Sequence, residues 1–176
     1  MRSNFPFLLM VVIRVTYQFT HTNFVVKKLV DCDKRNVSKF YSNLRNEGGR
    51  QYLDFDAVFP KAMDETVGVL CDIETSLDEK VYAKLFTIRE RNCCASMHKY
   101  MGEFAYALEQ SAGIAPGVCP IPKRKYRARN HYLDFSKISL QTFPFGHLRL
   151  TIKVVDNDAN SAVLFCITCY IDNVLN

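Results

Sequence analysis

Alternation of apolar and polar side chains dominates this chain. From Gly146 to Val154 the order is strictly period two, which places Leu148, Leu150, Ile152 and Val154 on one face of a predicted strand and polar side chains on the other. Leu53, Phe55, Ala57 and Phe59 alternate with Asp54, Asp56 and Val58 before Pro60, and Val67, Val69, Cys71 and Ile73 stand opposite Asp72 and Glu74. Phe24 to Val30, Val81 to Ile88, Tyr126 to Phe135 and Val163 to Ile171 complete the predicted strands. Asp78-Glu79-Lys80 and Asp156 to Asn160 are turn signals. The third and fourth strands, and the last two, are therefore expected to pair as antiparallel hairpins. Asp33 to Arg50 reads as a polar segment with Gly48-Gly49 as its turn.

One stretch changes period. From Asn92 to Ala112 the apolar side chains fall at Met97, Met101, Phe104, Ala105 and Leu108, spaced by three and four, which predicts a single helix. Asn92 is a suitable N-cap and Gly113 a suitable stop. Strands with turns between them and one inserted helix predict a mostly β fold, a two-sheet antiparallel β-sandwich.

Size and composition fit one such domain. A chain of 176 residues that is 48% hydrophobic can bury a sizeable core, and 13 Phe and 9 Tyr suit a pleated, half-buried surface. A formal charge of +5 is too small and dispersed to argue for nucleic acid. Arg2 precedes the apolar run Phe5 to Ile13, the length of a signal-peptide core and short of the ~20 residues needed to span a bilayer. Residues 1–20 are thus expected to be a signal peptide, although Arg14 follows at once and no Ala-x-Ala cleavage pattern appears. Residues 21–176 are expected to be the domain, which reads as a monomer.

Seven cysteines (Cys32, Cys71, Cys93, Cys94, Cys119, Cys166, Cys169) form a disulfide framework with one sulfur left over if the chain enters an oxidising compartment. Asn36-Val37-Ser38 is a glycosylation sequon in the polar segment, with Asn36 as its acceptor. These signals together predict a secreted, extracellular glycoprotein.

Catalytic chemistry finds little support in the pattern. His21, His98, His131 and His147 show no metal-ligand spacing, so no metal and no cofactor are expected, and His147 lies on the polar face of its strand. Cys94 and His98 are four apart on the helix and share a face, as a nucleophile pair would, but no third group stands out to orient the histidine. The chain is accordingly read as a non-enzyme. Cys166 and Cys169, three apart in a strand, point to opposite faces, which suits one bridged cysteine and one buried as a small hydrophobe. Lys123, Arg124, Lys125, Arg127 and Arg129 crowd into seven positions. They form a solvated outer face or a basic rim able to meet anionic lipid headgroups. Met97 and Met101 suit either a packed core or a pocket that adapts to flexible apolar ligands.

Several of these residues carry a family resemblance. Cys119-Pro120-Ile121-Pro122-Lys123 followed by Tyr126, the strand Leu148 to Val154, Asp156-x-Asp158-x-Asn160 and Leu164-Phe165-Cys166 resemble the second half of the ML lipid-recognition proteins. Val25 to Cys32 resembles the first strand of that family, with its Asp-Cys. The cysteine-flanked helix before Cys119 is similar to that of the ganglioside-activator proteins and their insect chemosensory relatives. The resemblance covers roughly Phe24 to Ile171. It implies an immunoglobulin-like sandwich whose sheets splay to admit a lipid or a small hydrophobic ligand, and a chemosensory or lipid-transfer role. It further implies a Cys32–Cys166 bridge and a bridge from Cys119 to Cys93 or Cys94.

On this reading Phe55, Val69, Met101, Phe104, Leu108, Leu148, Leu150, Ile152, Phe165 and Ile167 are the expected ligand-lining residues. Two other classes stay open: a secreted protein with a solid core that acts through surface contacts, and a lipid-presenting activator of an enzyme.

Overall fold

The computed structural model describes residues 23–32, 40–141 and 143–174. The expected signal peptide and the sequon at Asn36 lie outside the described residues. The strands are β1 (Asn23–Asp31), β2 (Phe40–Glu47), β3 (Arg50–Val58), β4 (Val67–Ser76), β5 (Ala83–Glu90), β6 (Lys125–Tyr132), β7 (Gly146–Asp156) and β8 (Ala162–Val174). They form an antiparallel five-stranded sheet in the order β1-β8-β7-β4-β5 and an antiparallel three-stranded sheet in the order β2-β3-β6. The two-sheet sandwich and both expected hairpins are present.

Two elements differ from expectation. The polar segment before Arg50 contains β2, an edge strand that pairs with β3 along its whole length across the Gly48-Gly49 turn. Its polar side chains are those of an exposed sheet edge, which hides the strand in a hydrophobicity pattern. The expected single helix is two, α1 (Cys93–Met101) and α2 (Glu103–Ser111). Asn92 caps α1, its side chain accepting from the Ala95 N–H at 2.9 Å. The break falls at Gly102, whose φ of 56° and ψ of −131° leave helical space. A Cβ there would also collide with Ser139, because the 139–140 segment packs against the break and Leu140 N–H donates to Tyr100 C=O at 2.9 Å. Glycine satisfies both demands. Among the described residues no helix is long and apolar enough to cross a membrane.

Cross-links and polar clamps hold the layers. Disulfides join Cys32 to Cys166 and Cys94 to Cys119, and Cys71, Cys93 and Cys169 are free thiols. Cys93, one of the candidate bridge partners, is therefore not bridged. It is buried at 8% exposure in the main core, while Cys94 beside it faces Cys119. Gln51 on β3 reaches across to β1, its side chain accepting from Val26 N–H at 2.8 Å and donating to Val26 C=O at 2.9 Å.

Candidate functional site

Strand register builds an apolar wall on the inner face of the large sheet. Residues paired directly across antiparallel strands share a face, so the pairs Leu29–Cys169, Cys169–Leu150, Leu150–Ile73 and Ile73–Phe86 make one row across all five strands. The next row runs Ile167, Ile152, Cys71, Ile88. The opposite face is polar: Arg149 forms a two-pronged ion pair with Glu74 at 2.6 and 2.8 Å, and Lys84 binds Asp72 at 2.7 Å.

Burial varies along this wall, and Ile73, Ile167 and Cys71 in its middle are buried, at 1%, 8% and 9% exposure. Leu148, Val154 and Ile171 are buried, at 0%, 6% and 7% exposure, whereas Leu29, Leu150, Ile152 and Cys169 between them are only half-buried. Phe86, where the first row reaches β5, is 39% exposed. Burial pushes the thiols of Cys71 and Cys169 up to about 12. The inner wall of the large sheet thus combines half-buried apolar side chains on β1, β7 and β8 with fully buried ones on β4 and ends at the exposed Phe86 of β5.

The facing sheet presents an apolar face of its own. Its inner face carries Leu53, Phe55, Ala57, Tyr126 and Ala128, all buried, and the two alanines reach least far across a gap that is ~10 Å between packed sheets. Phe40 stacks on Phe55 at 6.2 Å and meets Phe165 edge-on at 5.4 Å, which ties the two layers together beside β2. At the far end an aromatic chain closes the sandwich: Phe104 stacks on Phe135 at 5.1 Å, and Phe24 meets Phe135 and Phe143 edge-on at 5.6 and 5.2 Å. A cleft of about 260 Å³ opens beside this plug between Phe24, Arg50, Tyr132 and Leu133. Tyr126 donates its hydroxyl to Pro122 C=O at 2.6 Å, so its ring stays anchored in the core.

One interior polar group lacks a partner. His131 on β6 is 7% exposed and lies edge-on to Phe104 at 6.3 Å, and its Nε2 has no hydrogen-bond partner among the described residues. Burial lowers its pKa from the usual value, which favours the neutral ring. Buried polar groups are nearly always satisfied, so His131 Nε2 is an exception on the inner face of the small sheet.

The ten expected lining residues divide between two clusters. Phe55, Val69 and Phe104 are buried in the larger, with Met101, Leu108, Ile152 and Phe165 packed against it. Leu148 and Leu150 belong to the smaller, with Phe24 and Ile171. Ile167 is buried at 8% on the inner face beside Ile152. Sequence pattern did not single out Leu29, Ile73, Phe86, Cys169 or His131 as lining candidates. Their places follow from strand register, which no local pattern encodes.

The charged candidates are partly spent. Arg127 and Arg129 converge on Asp56 at 2.7 and 2.6 Å, and Arg124 donates to Gly113 C=O while covering the Tyr126 ring at 4.8 Å. Lys123 and Lys125 are exposed. His147 is not merely solvated: it hydrogen-bonds Asp172 at 2.7 Å, with Glu79 at 3.4 Å. A second cluster gathers Cys94, His98 and Cys119 within 4.8 Å of one another. The third group that the Cys94 and His98 spacing lacked is Glu109, which meets His98 Nε2 at 2.6 Å.

Fold and site thus define a disulfide-linked antiparallel β-sandwich with an apolar inner face on each sheet. No protein-family model matches the chain, and no curated protein matches it. Among solved structures it is similar to chicken MD-1, solved in complex with lipid IVa, with a TM-score of 0.37 and 10% sequence identity over 88% of this chain and 99% of that one.

Proposed function

We propose that this protein is a secreted binding protein that holds a lipid or small hydrophobic ligand between its two sheets and does no covalent chemistry on it. The carrying observation is the inner wall of the large sheet, where Leu150, Ile152 and Cys169 lie mid-sheet yet keep accessible surface, as does Leu29 on β1; this strip is the trough that takes the ligand on this reading. An apolar chain laid there leaves water at roughly 25 cal/mol per Å² of surface buried. His131 Nε2 offers the ligand's hydroxyl or protonated carboxyl an acceptor in a dry environment, where a hydrogen bond is strong and a missing one costly. The two disulfides suit an oxidising compartment. The sequence resemblance to the ML and ganglioside-activator proteins supports the same reading.

Native mass spectrometry tests it. Protein secreted from eukaryotic cells is expected to carry a co-purified lipid, or to take up one equivalent of added stearic acid. A folded protein that carries neither, at stearate concentrations where fatty-acid binders saturate, would contradict the proposal.

A further inference from the structure

The Cys94–Cys119 bridge sits in a setting that a purely structural disulfide does not require. Cys119 is exposed, while Cys94 is 0% exposed. His98 Nδ1 lies 3.7 Å from Cys119 Sγ, and all three ligand atoms, including Cys94 Sγ, lie within 4.8 Å of one another. On its other side His98 meets Glu109, a carboxyl only 3% exposed whose second oxygen accepts from Gly117 N–H at 2.8 Å. A ring that donates Nε2–H to this carboxyl turns Nδ1 towards the sulfur, and in that neutral tautomer Nδ1 carries a lone pair. That lone pair has no hydrogen to receive while the bridge is closed. It gains one when a thiol arrives. The other neighbours of His98 are Tyr106, whose ring lies 5.2 Å away on α2, and Lys99, which turns aside to Glu90 at 2.8 Å.

We propose that Cys94–Cys119 is a thiol–disulfide exchange centre, with His98 as the proton carrier and Glu109 as the residue that positions it, and that its reactant is a thiol from solvent. The incoming thiol gives its proton to His98 Nδ1 and its sulfur attacks the exposed Sγ of Cys119. The new bond joins that sulfur to Cys119, the Sγ–Sγ bond breaks, and Cys94 leaves with the electron pair and takes the proton back from His98. The reactant is oxidised to a mixed disulfide and Cys94 is reduced to a thiol. A second equivalent of the same thiol attacks the mixed disulfide through the same proton path, releasing the oxidised dimer and a Cys119 thiol. Cys94 is placed to leave because His98, within 4.8 Å of its Sγ, returns the proton as the bond breaks, so no buried thiolate has to persist. Cys93 next to it is excluded as a competing nucleophile, since burial pushes its thiol up to about 12.

Reduced glutathione is the probe and Cys32–Cys166 the internal reference, a bridge whose Cys166 is 4% exposed within the large sheet. Wild-type protein is exposed to glutathione, quenched with acid, labelled with N-ethylmaleimide and mapped by peptide mass spectrometry. Glutathione is expected on Cys119 and maleimide on Cys94, with this bridge opening at least about tenfold faster than the reference. His98→Gln should slow it about tenfold and leave the reference unchanged. Glu109→Gln, which keeps an acceptor for Nε2, should retain exchange but displace its pH profile. Glutathione on Cys94, equal opening of the two bridges, or His98→Gln reacting at the wild-type rate would each overturn the proposal. A pH profile for Glu109→Gln that superimposes on wild type would remove Glu109 from it. If His98→Gln does not fold, the wild-type adduct position and rate ratio decide alone.

Discussion

Gln51 completes the backbone hydrogen bonding of Val26 from the opposite sheet, accepting from its N–H at 2.8 Å and donating to its C=O at 2.9 Å. Because β1 is an edge strand, this clamp stands in for a missing neighbour and fixes how far the two layers separate along that edge. Gln51→Ala leaves both backbone groups without their partner and should cost about 1–3 kcal/mol. Urea denaturation checks this. A loss of only a few tenths would mean that the clamp does not hold the edge.

The two bridges should differ in their worth to the fold. Cys32–Cys166 spans 134 residues and Cys94–Cys119 spans 25. In the chain-entropy model they contribute about 5 and about 3.5 kcal/mol respectively. The double variant Cys32→Ser with Cys166→Ser should therefore unfold at clearly lower urea than Cys94→Ser with Cys119→Ser. The reverse order would show that the helical cap, rather than the large sheet, limits stability.

Much of the fold was legible because its strands have one wet and one dry face. The alternations at Leu53–Ala57, Val67–Ile73 and Leu148–Val154 each lie on a strand with the apolar set inward, and β3 stops one residue short of Phe59. β2 was not legible, since only Phe40 and Leu44 of its inward positions are apolar and the rest of the strand is an edge. The helix break at Gly102 was missed because an isolated glycine inside a helical pattern is tolerated, and the contact with Ser139 that a larger side chain would disturb lies far along the chain. The contact of His98 with Glu109 spans 11 residues and two helices, so no helical spacing announces it. The trough itself depends on which residues align across five strands, information held in register rather than in any one segment.

His131 should make stability pH-dependent in a defined direction. Burial lowers its folded pKa below 6.5, so between these values protons bind preferentially to the unfolded chain. The stability of the neutral, buried ring is whole above pH 6.5 and is lost as pH falls through the lower folded value. His131→Leu should remove that slope below pH 6.5 and, by deleting the orphan nitrogen, raise stability by about 1 kcal/mol. Urea midpoints across pH for both proteins decide it. Parallel curves would show that His131 is not held neutral by the interior.

Three thiols should be silent in the native state. Burial pushes Cys71, Cys93 and Cys169 up to about 12, far above the pH at which a thiolate forms in solution. Ellman's reagent at about pH 8 should find none of them in folded protein and all three in guanidinium chloride. Rapid labelling of Cys169 in the native protein would mean that the trough is open to water and to anionic reagents alike.

The trough's occupancy can be read directly, because the chain contains no tryptophan. Ile152→Trp places a single reporter on the inner wall, and Lys153→Trp places one on the outer face one residue away. Brominated stearic acid quenches indole fluorescence at short range. Saturable quenching of Ile152→Trp with Lys153→Trp unaffected is the predicted result; equal quenching of both, or none in a folded Ile152→Trp protein, would contradict a ligand held between the sheets.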